Sequence, residues 1–187
     1  MSLRALQIFL PTAVLSFGLA ALLYGTLSNG QRYAVKFSDV DGRALSTANG
    51  HVIVLVLSAR EDLTRARAVG DHVPDYCLGN ANYRMITVLK LMKRYTQLGR
   101  TVAMTLVRRR VDEAAKRLQA RYDEKKISRP ARQDIYVAAD FDGSISAQLG
   151  AEAGVTRFHV FVFGPEGELL QQWDDVPAAQ ELATALK

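Results

Sequence analysis

Residues 51–57 read HVIVLVL, a short stretch in which every residue after His51 is apolar and most are β-branched. A strand that is buried on both faces of a sheet has this composition, whereas a strand with one solvent-exposed face alternates between apolar and polar residues. The stretch therefore predicts a central strand in a sheet whose two faces are both covered by other elements.

Segments on both sides of this strand alternate in predicted secondary structure. Upstream, the alternating residues 33–37 lead into the turn residues 39–43, which predicts a small hairpin. Downstream, turn formers separate helical from strand-like segments. The predicted helices cover residues 61–69, 85–95 (with Gly99 as the stop), 111–126, 144–152 and 177–186; the predicted strands cover residues 101–107, 134–138, 158–163 and 168–173; a loop is predicted at 71–80. This order predicts an α/β fold with a mixed sheet flanked by helices.

Composition is that of a folded chain of ordinary domain size. Of the 187 residues, 49% are hydrophobic and 23% are charged, which excludes a disordered or collagen-like chain. The formal net charge of +5 favours contact with acidic surfaces. The sequence contains one cysteine, Cys77, so a single chain forms neither a disulfide nor a multi-cysteine metal site.

The N-terminal stretch from Ile8 to Leu27, IFLPTAVLSFGLAALLYGTL, carries no charge. Its length of about twenty residues is what a helix needs to cross a bilayer. A cleaved signal peptide would have a shorter apolar region and a better cleavage site. We therefore expect residues 1–30 to form a membrane anchor helix and residues 31–187 to form one folded domain, on the periplasmic or extracytoplasmic side.

Four short motifs stand in order along the folded part. They are FSDVDGR at residues 37–43, HVIVLVLSA at 51–59, a segment that runs from DFDG at 140–143 to Gly154 and Val155, and FVFGPEGEL at 161–169. Their order and spacing resemble the thioredoxin-like superfamily, in particular its membrane-anchored thiol-disulfide and peroxiredoxin-like branch. The likeness covers nearly all of residues 31–187, and it implies a thioredoxin-like mixed sheet flanked by helices.

The sequence departs from that family where the family's chemistry takes place. Active members place Cys-x-x-Cys just after the first core strand, where a helix N-terminus lowers the thiol pKa. The two positions hold Asp62 and Arg65 here, so dithiol exchange is excluded. The family's cis-proline position falls near His159, where we expect a trans peptide bond because a non-proline cis bond costs about 3 kcal/mol.

Cys77 leaves two interpretations open. It lies in the loop 71–80, close to the start of the next predicted helix, and a thiol at a helix N-terminus can have a lowered pKa. Alternatively, a lone cysteine packs as a small buried hydrophobic residue. A disulfide between Cys77 residues of two chains is a further possibility.

Other polar residues do not form a pattern that predicts a metal or cofactor site. His51, His72 and His159 lie on separate elements and lack the spacing of zinc ligands. Asp140 and Asp142 resemble a turn and helix entry more than a cation site, because only two carboxylates are local. No metal and no cofactor is predicted.

A run of three arginines, Arg108, Arg109 and Arg110, opens a basic segment that continues to Arg132. One interpretation is a contact surface for lipid headgroups, small anions or an acidic partner. The other is the solvated face of a helix. Nucleic acid is not expected, because exposed aromatic residues are not interleaved with the basic ones.

These observations predict a redox-inactive, membrane-anchored protein that acts through protein–protein interaction, with the role of an accessory or assembly subunit of a membrane complex. The partner is expected to be a membrane protein. The alternative is a single-cysteine thiol oxidoreductase or peroxidase that acts through Cys77. A third hypothesis assigns lipid or anion binding to the three arginines.

Overall fold

A computed structural model describes residues 27–91, 95–151 and 158–187 of the chain. Residues 1–26 of the predicted anchor helix lie outside the described residues, and so does the end of the predicted helix 144–152. Residues 27–30 are described and are not helical. Within the described ranges, no helix combines the length and the apolar character that crossing a bilayer requires.

A two-stranded hairpin precedes the main sheet. Its strands, β1 (Lys36–Ser38) and β2 (Ala44–Ser46), pair in antiparallel fashion through a turn at residues 39–43. The Asp39 carboxylate accepts hydrogen bonds from the backbone amides of Asp41 and Arg43, which fixes this turn. The predicted hairpin is therefore confirmed, with its first strand starting at Lys36.

The main sheet has five strands in the order β5-β4-β3-β6-β7 in the described part of the chain. They are β3 (Val52–Ala59), β4 (Tyr83–Lys90), β5 (Ile135–Asp140), β6 (His159–Phe163) and β7 (Leu169–Trp173). β3, β4 and β5 are parallel, whereas β6 is antiparallel to both β3 and β7. The HVIVLVL stretch forms the central strand, and seven of the eight residues of β3 are buried, as its composition predicts.

In the ranges that the structure describes, four helices flank this sheet: α1 (Leu63–His72), α2 (Gln97–Glu124), α3 (Ser144–Gln148) and α4 (Ala179–Ala185). Two short 3₁₀ turns cover Asp75–Cys77 and Ala131–Asp134. The mixed sheet with helical flanks agrees with the predicted fold class.

Successive residues of β3 face opposite sides of the sheet and so belong to different clusters of the core. Ile53, Leu55 and Leu57 of β3 face one cluster, which α3 and the hairpin cover. Val54 and Val56 face a second cluster beneath α1 and α4. On the same side of the sheet, a third cluster lies beneath α2 and includes Leu89 and Leu91.

Two predicted elements are wrong. Residues 85–95 do not form a helix, because Tyr83–Lys90 is strand β4, which pairs with β3 and β5. Residues 101–107 do not form a strand, because they continue the long helix α2. Gly99 does not end a helix; its amide donates to the Thr96 hydroxyl oxygen (3.2 Å) in the first turn of α2.

Chain segments that precede β3 also cover both edges of the sheet. Along β7, the Gly30 amide donates to the Leu169 carbonyl and the Leu169 amide donates to the Gln31 carbonyl, each at 2.8 Å. Along β5, the Val40 amide donates to the Val137 carbonyl at 2.8 Å. These bonds occupy edge groups that would otherwise be open to pairing with another chain.

Candidate functional site

The turn between β3 and α1 holds an ion-pair network at the place where the resemblance puts two cysteines. Arg65 reaches the Asp62 carboxylate (3.1 Å) in the preceding turn and the Asp175 carboxylate (2.7 Å) beyond the end of β7. Its guanidinium also donates to the Asp174 carbonyl at 3.3 Å. Arg65 therefore connects the N-terminus of α1 to the segment between β7 and α4.

The charges in this network stabilise one another. The hydrogen bond to Asp175 raises the pKa of Arg65, and the same bond lowers the pKa of the Asp175 carboxyl group. Both side chains are more than a third exposed, so their attraction is screened by water and contributes little to stability. The network holds no thiol, so it cannot take part in thiol-disulfide exchange.

The start of β6 completes the surroundings of this turn. The Phe158 ring lies beneath the Arg65 guanidinium, with 4.3 Å between its centroid and Cζ. The neighbouring His159 Nδ1 lies 2.8 Å from the Asp174 carboxylate, and the His159 ring stacks on Phe161. The described residues contain no cis peptide bond. Sequence analysis placed Asp62, Arg65 and His159 at this site but missed Asp174 and Asp175.

Cys77 lies away from this turn. It ends the 3₁₀ turn that follows the C-terminus of α1, and α1 itself is about 15 Å long at the usual rise per residue. The element after Cys77 is strand β4, so the predicted position near a helix N-terminus is wrong. The residue packs with Val54, Val69 and Leu186 in the cluster beneath α1 and α4.

The environment of the Cys77 thiol opposes reactivity. The side chain is 7% exposed, and burial raises its pKa to about 11. Because the thiolate is the nucleophile, a thiol that stays protonated at neutral pH is inert toward disulfides and peroxides. The arrangement fits the interpretation as a small buried hydrophobic residue.

The three histidines lie apart, each with its own partner. His51 Nδ1 lies 2.8 Å from the Ala81 carbonyl oxygen, and His72 Nδ1 lies 2.8 Å from that of Pro177. Within the described ranges, no group of three or more His, Cys, Asp or Glu residues is arranged to hold a metal ion.

The two aspartates of the DFDG motif form a helix entry. Asp140 is buried and accepts hydrogen bonds from the Ser146 amide (2.9 Å) and the Ser146 hydroxyl group. Asp142 accepts from the Ser144 amide (3.0 Å), and its hydrogen bonds with Ser144 lower the pKa of its carboxyl group. The motif thus starts α3, as the sequence interpretation expected.

The three consecutive arginines do not act as one surface. Arg108 donates to the Val40 carbonyl from Nε (2.9 Å) and Nη2 (2.7 Å), so it binds the hairpin turn. Arg109 is exposed on the outer face of α2 and lies 3.7 Å from Glu113. Arg110 lines a groove between α2 and α1. A single anion site made by all three is not formed.

An apolar stripe occupies the exposed side of the first half of α2. Leu98, Val102 and Leu106 are 75%, 54% and 55% exposed and follow one another at four-residue intervals. Side chains at this spacing lie on one face of a helix. Sequence analysis missed this stripe because it assigned residues 101–107 to a buried strand.

Solved structures with a similar fold include thiol-disulfide and peroxidase-type proteins. A protein assigned as a thioredoxin in Neisseria meningitidis has a TM-score of 0.53 and 17% identity, over 84% of this chain and 91% of that chain. The exposed lipoprotein thioredoxin Etrx1 of Streptococcus pneumoniae has a TM-score of 0.51 and 13% identity, over 82% and 97%. Peroxidoxin BcpB of Mycobacterium tuberculosis has a TM-score of 0.51 and 16% identity, over 86% and 94%.

No protein-family model and no curated protein matches the sequence. At such low identities, the similarity to the solved structures concerns the fold and not the activity.

Proposed function

We propose that this protein, whose fold is thioredoxin-like, is a redox-inactive binding protein that serves as an accessory or assembly subunit of a membrane complex. In this proposal residues 8–27 hold it in the membrane, its folded domain lies on the periplasmic or extracytoplasmic side, and its partner is a membrane protein. The observation that carries the proposal is the Arg65 network with Asp62 and Asp175, which occupies the turn after β3 with fixed charges.

The exposed apolar stripe of α2 supports binding to another protein. Three of the five large hydrophobic side chains that are exposed in the described part of the chain belong to this stripe. Arg109 lies on the same face, about one turn beyond Leu106. An apolar surface bordered by a cation is complementary to a partner helix with apolar and acidic residues. We assign such a helix of the membrane partner to the stripe.

The binding proposal is tested by purifying the full-length protein from its native membrane in mild detergent. A partner at fixed stoichiometry is expected with the wild type and with Ala120→Asp, which places a charge on the exposed part of α2 beyond the stripe. Val102→Asp is expected to release that partner, since a charge buried against an apolar surface is strongly unfavourable. Equal retention of the partner by both variants would contradict the proposed contact.

The membrane location has its own test. The full-length chain is expected to stay in the membrane pellet after an alkaline carbonate wash, and protease added outside spheroplasts is expected to digest its domain. Digestion only after the membrane is broken would place the domain on the inner side instead.

The alternative activity through Cys77 is tested by alkylation of the native protein with iodoacetamide at different pH values. Because burial raises the thiol pKa to about 11, the rate is expected to stay low from pH 7 to 9, where a free thiol of pKa about 8.5 becomes reactive. Urea-unfolded protein is the control and is expected to react at the rate of a free thiol. Fast alkylation of the native protein at pH 7, together with a peroxidase or reductase activity that Cys77→Ser abolishes, would replace the proposal with thiol chemistry.

A further inference from the structure

A groove of about 670 Å³ lies between α1 and α2 above the middle of β4. Its floor includes Met85 and Thr87, which are only partly buried although β4 has a neighbouring strand on each side. The Thr87 hydroxyl makes no hydrogen bond to another described residue. An inner strand of a parallel sheet is normally covered on both faces, so this stretch of β4 lacks a covering element.

The groove exists because the two helices pack on different strands. α1 contacts β3 and α4, whereas α2 contacts β5 and the 3₁₀ turn Ala131–Asp134. The apolar cluster beneath α1 and the one beneath α2 are consequently separate on this side of the sheet. The helices are joined at one end of the groove, where Arg121 of α2 donates to the Gly70 carbonyl of α1 at 3.3 Å.

The inner surface of the groove is apolar. Beyond Met85, it is formed by aliphatic side chains of the sheet and of α2, which include Val54, Val137, Val111 and Leu118. Its volume lies within the range of about 300–1,000 Å³ that is typical of sites for small organic molecules. An aliphatic chain would bury apolar surface on the groove and on itself.

Arginines border this apolar surface from both helices. Arg67 of α1 and Arg110 and Arg117 of α2 line the groove, are exposed, and form no ion pair with a described carboxylate. The residues of α2 are seven apart and so lie on the same side of the helix. Three guanidinium groups are thus available to an anion at the mouth of an apolar groove.

The charged residues at the groove suit an anion. The lining includes Arg67, Arg110, Arg117 and Arg121 and the acidic residues Asp71, Glu113 and Asp134. Arg84 is also part of the lining, but its guanidinium lies over the Tyr136 ring, which packs on the opposite face of the sheet. Glu113 is paired with Arg109, Asp134 with Arg129 and Arg121 with Asp75. Apart from Arg84, the arginines of the lining that pair with no described carboxylate are therefore Arg67, Arg110 and Arg117, which favour an anionic group at the mouth of the groove.

We propose that this groove binds a molecule with a long aliphatic chain and an anionic head group, with the chain on the floor of β4 and the head group held by Arg110 and Arg117. This site is separate from the stripe on the outer face of α2, so the inference does not depend on the proposed binding of a partner.

The test measures the binding of ¹³C-carboxyl dodecanoate to the full-length protein in neutral phosphatidylcholine nanodiscs by NMR, with empty nanodiscs as the blank. A saturable bound signal at one site per chain is expected. Dodecanol and acetate, which each lack one half of the ligand, are expected to bind at least about tenfold more weakly, because each loses either the charged hydrogen bonds or the apolar burial.

Variants test whether dodecanoate binds in the groove. Arg117→Gln is expected to weaken dodecanoate binding by about tenfold or more through loss of a charge-assisted hydrogen bond. Ala114→Trp fills the groove from α2 and is expected to abolish binding. Lys116→Gln, which removes a neighbouring positive charge of α2 outside the groove lining, is the control and is expected to bind as the wild type does.

Three results would overturn the inference: no saturable binding, an equal signal in empty nanodiscs, or equal losses in Arg117→Gln and Lys116→Gln. Far-ultraviolet circular dichroism of each variant excludes unfolding as the cause of a loss. Retention of the co-purifying membrane partner is recorded in the same variants, and it is expected to be unaffected by Ala114→Trp.

Discussion

Gly167, in the turn between β6 and β7, occupies a position that no other residue fits. Its φ is +83°, and a Cβ atom there would lie 2.5 Å from the Tyr33 carbonyl oxygen and 2.9 Å from the Ala48 Cβ. The clash involves backbone, which cannot move without disturbing the segment that covers β7. Both conformation and space therefore require glycine at this position.

Comparison of Gly167→Ala with Gly42→Ala separates these two requirements. Gly42 has the same φ of +83° but open space around the added Cβ. We expect Gly42→Ala to lower the free energy of unfolding by about 1 kcal/mol through backbone strain, and Gly167→Ala by about 3 kcal/mol because the clash adds to it. Urea unfolding followed by the fluorescence of Trp173, the single tryptophan of the chain, measures both. Equal losses would show that the segment at Tyr33 moves without cost.

Replacement of Ser58 is expected to increase stability, in contrast to replacement of the two glycines. It is 1% exposed in β3, and its hydroxyl group bonds to no described residue. A buried hydroxyl without a partner is destabilising, so Ser58→Ala is expected to raise the free energy of unfolding by about 1 kcal/mol. Thr47→Val is the contrast, because the buried Thr47 hydroxyl accepts from the Val35 amide (2.9 Å) and donates to the Tyr33 carbonyl. It is expected to lose about 1–3 kcal/mol. A loss of stability in Ser58→Ala would reveal a partner of that hydroxyl.

At the scale of elements, one side chain of α2 joins three parts of the fold. The Tyr122 hydroxyl donates to the Asp134 carboxylate at 2.8 Å and accepts from the Gly79 amide at 3.0 Å. Burial, followed by the bond to Asp134, raises the pKa of this hydroxyl group, so it remains protonated and able to donate. The end of α2 is thereby tied to the loop before β4 and to the start of β5.

Tyr122→Phe is expected to lower the free energy of unfolding by about 1–3 kcal/mol, because the Gly79 amide and the Asp134 carboxylate each lose a buried partner. Tyr136→Phe is the control, since the Tyr136 hydroxyl bonds to no described residue, and it is expected to change stability by less than about 0.5 kcal/mol. Urea unfolding again provides the measurement. A small effect of Tyr122→Phe would mean that water replaces the hydroxyl group in both bonds.

The same elements explain how far sequence reasoning reached. β3 was predictable because its β-branched residues are apolar on both faces. β4 is less completely buried than β3, and its residues Met85, Val88 and Leu89 also fit the spacing of an amphipathic helix. Periodicity does not distinguish a strand from a helix for a short apolar run. In α2, the β-branched segment 101–107 suggested a strand, whereas the N-cap at Thr96 and the packing of Val107 and Val111 on the sheet sustain a helix.

At the scale of the whole molecule, the candidate site combines residues from distant parts of the chain. Asp62 and Arg65 could be placed in advance because the turn after β3 is local in sequence. Asp174 and Asp175 lie about 110 residues further on and reach the site only because β6 and β7 return beside β3. No local pattern marks that proximity, so these two residues could not be predicted without the sheet order.

If this chain differs from thiol-active proteins of the same fold mainly in these side chains, two substitutions should create a dithiol. Asp62 and Arg65 already touch across three residues at the start of α1, where neighbouring side chains share a face. In a Cys77→Ser background, we expect Asp62→Cys with Arg65→Cys to form an intramolecular disulfide on air oxidation, seen as the loss of two hydrogens in the intact mass. The helix N-terminus should also lower the pKa of the first thiol in the reduced form.

Asp62→Cys with Arg67→Cys, whose side chains lie on different sides of α1, is the control and is expected to remain reduced. Failure of the 62 and 65 pair to close would mean that the turn departs from the geometry of a disulfide-forming site.

The hydrogen bonds between residues 30–33 and β7 also have a mechanical consequence. Leu27 is already buried in the core. Within the next six residues, the Gly30 and Tyr33 amides donate to the Leu169 and Gly167 carbonyls, and the Leu169 amide donates to the Gln31 carbonyl. No slack chain therefore separates residue 27 from the folded body. A pulling force applied through the first 26 residues would be transmitted directly to strand β7, where several hydrogen bonds would resist it together. The domain would then reorient together with residue 27 and would not rotate freely about a flexible linker.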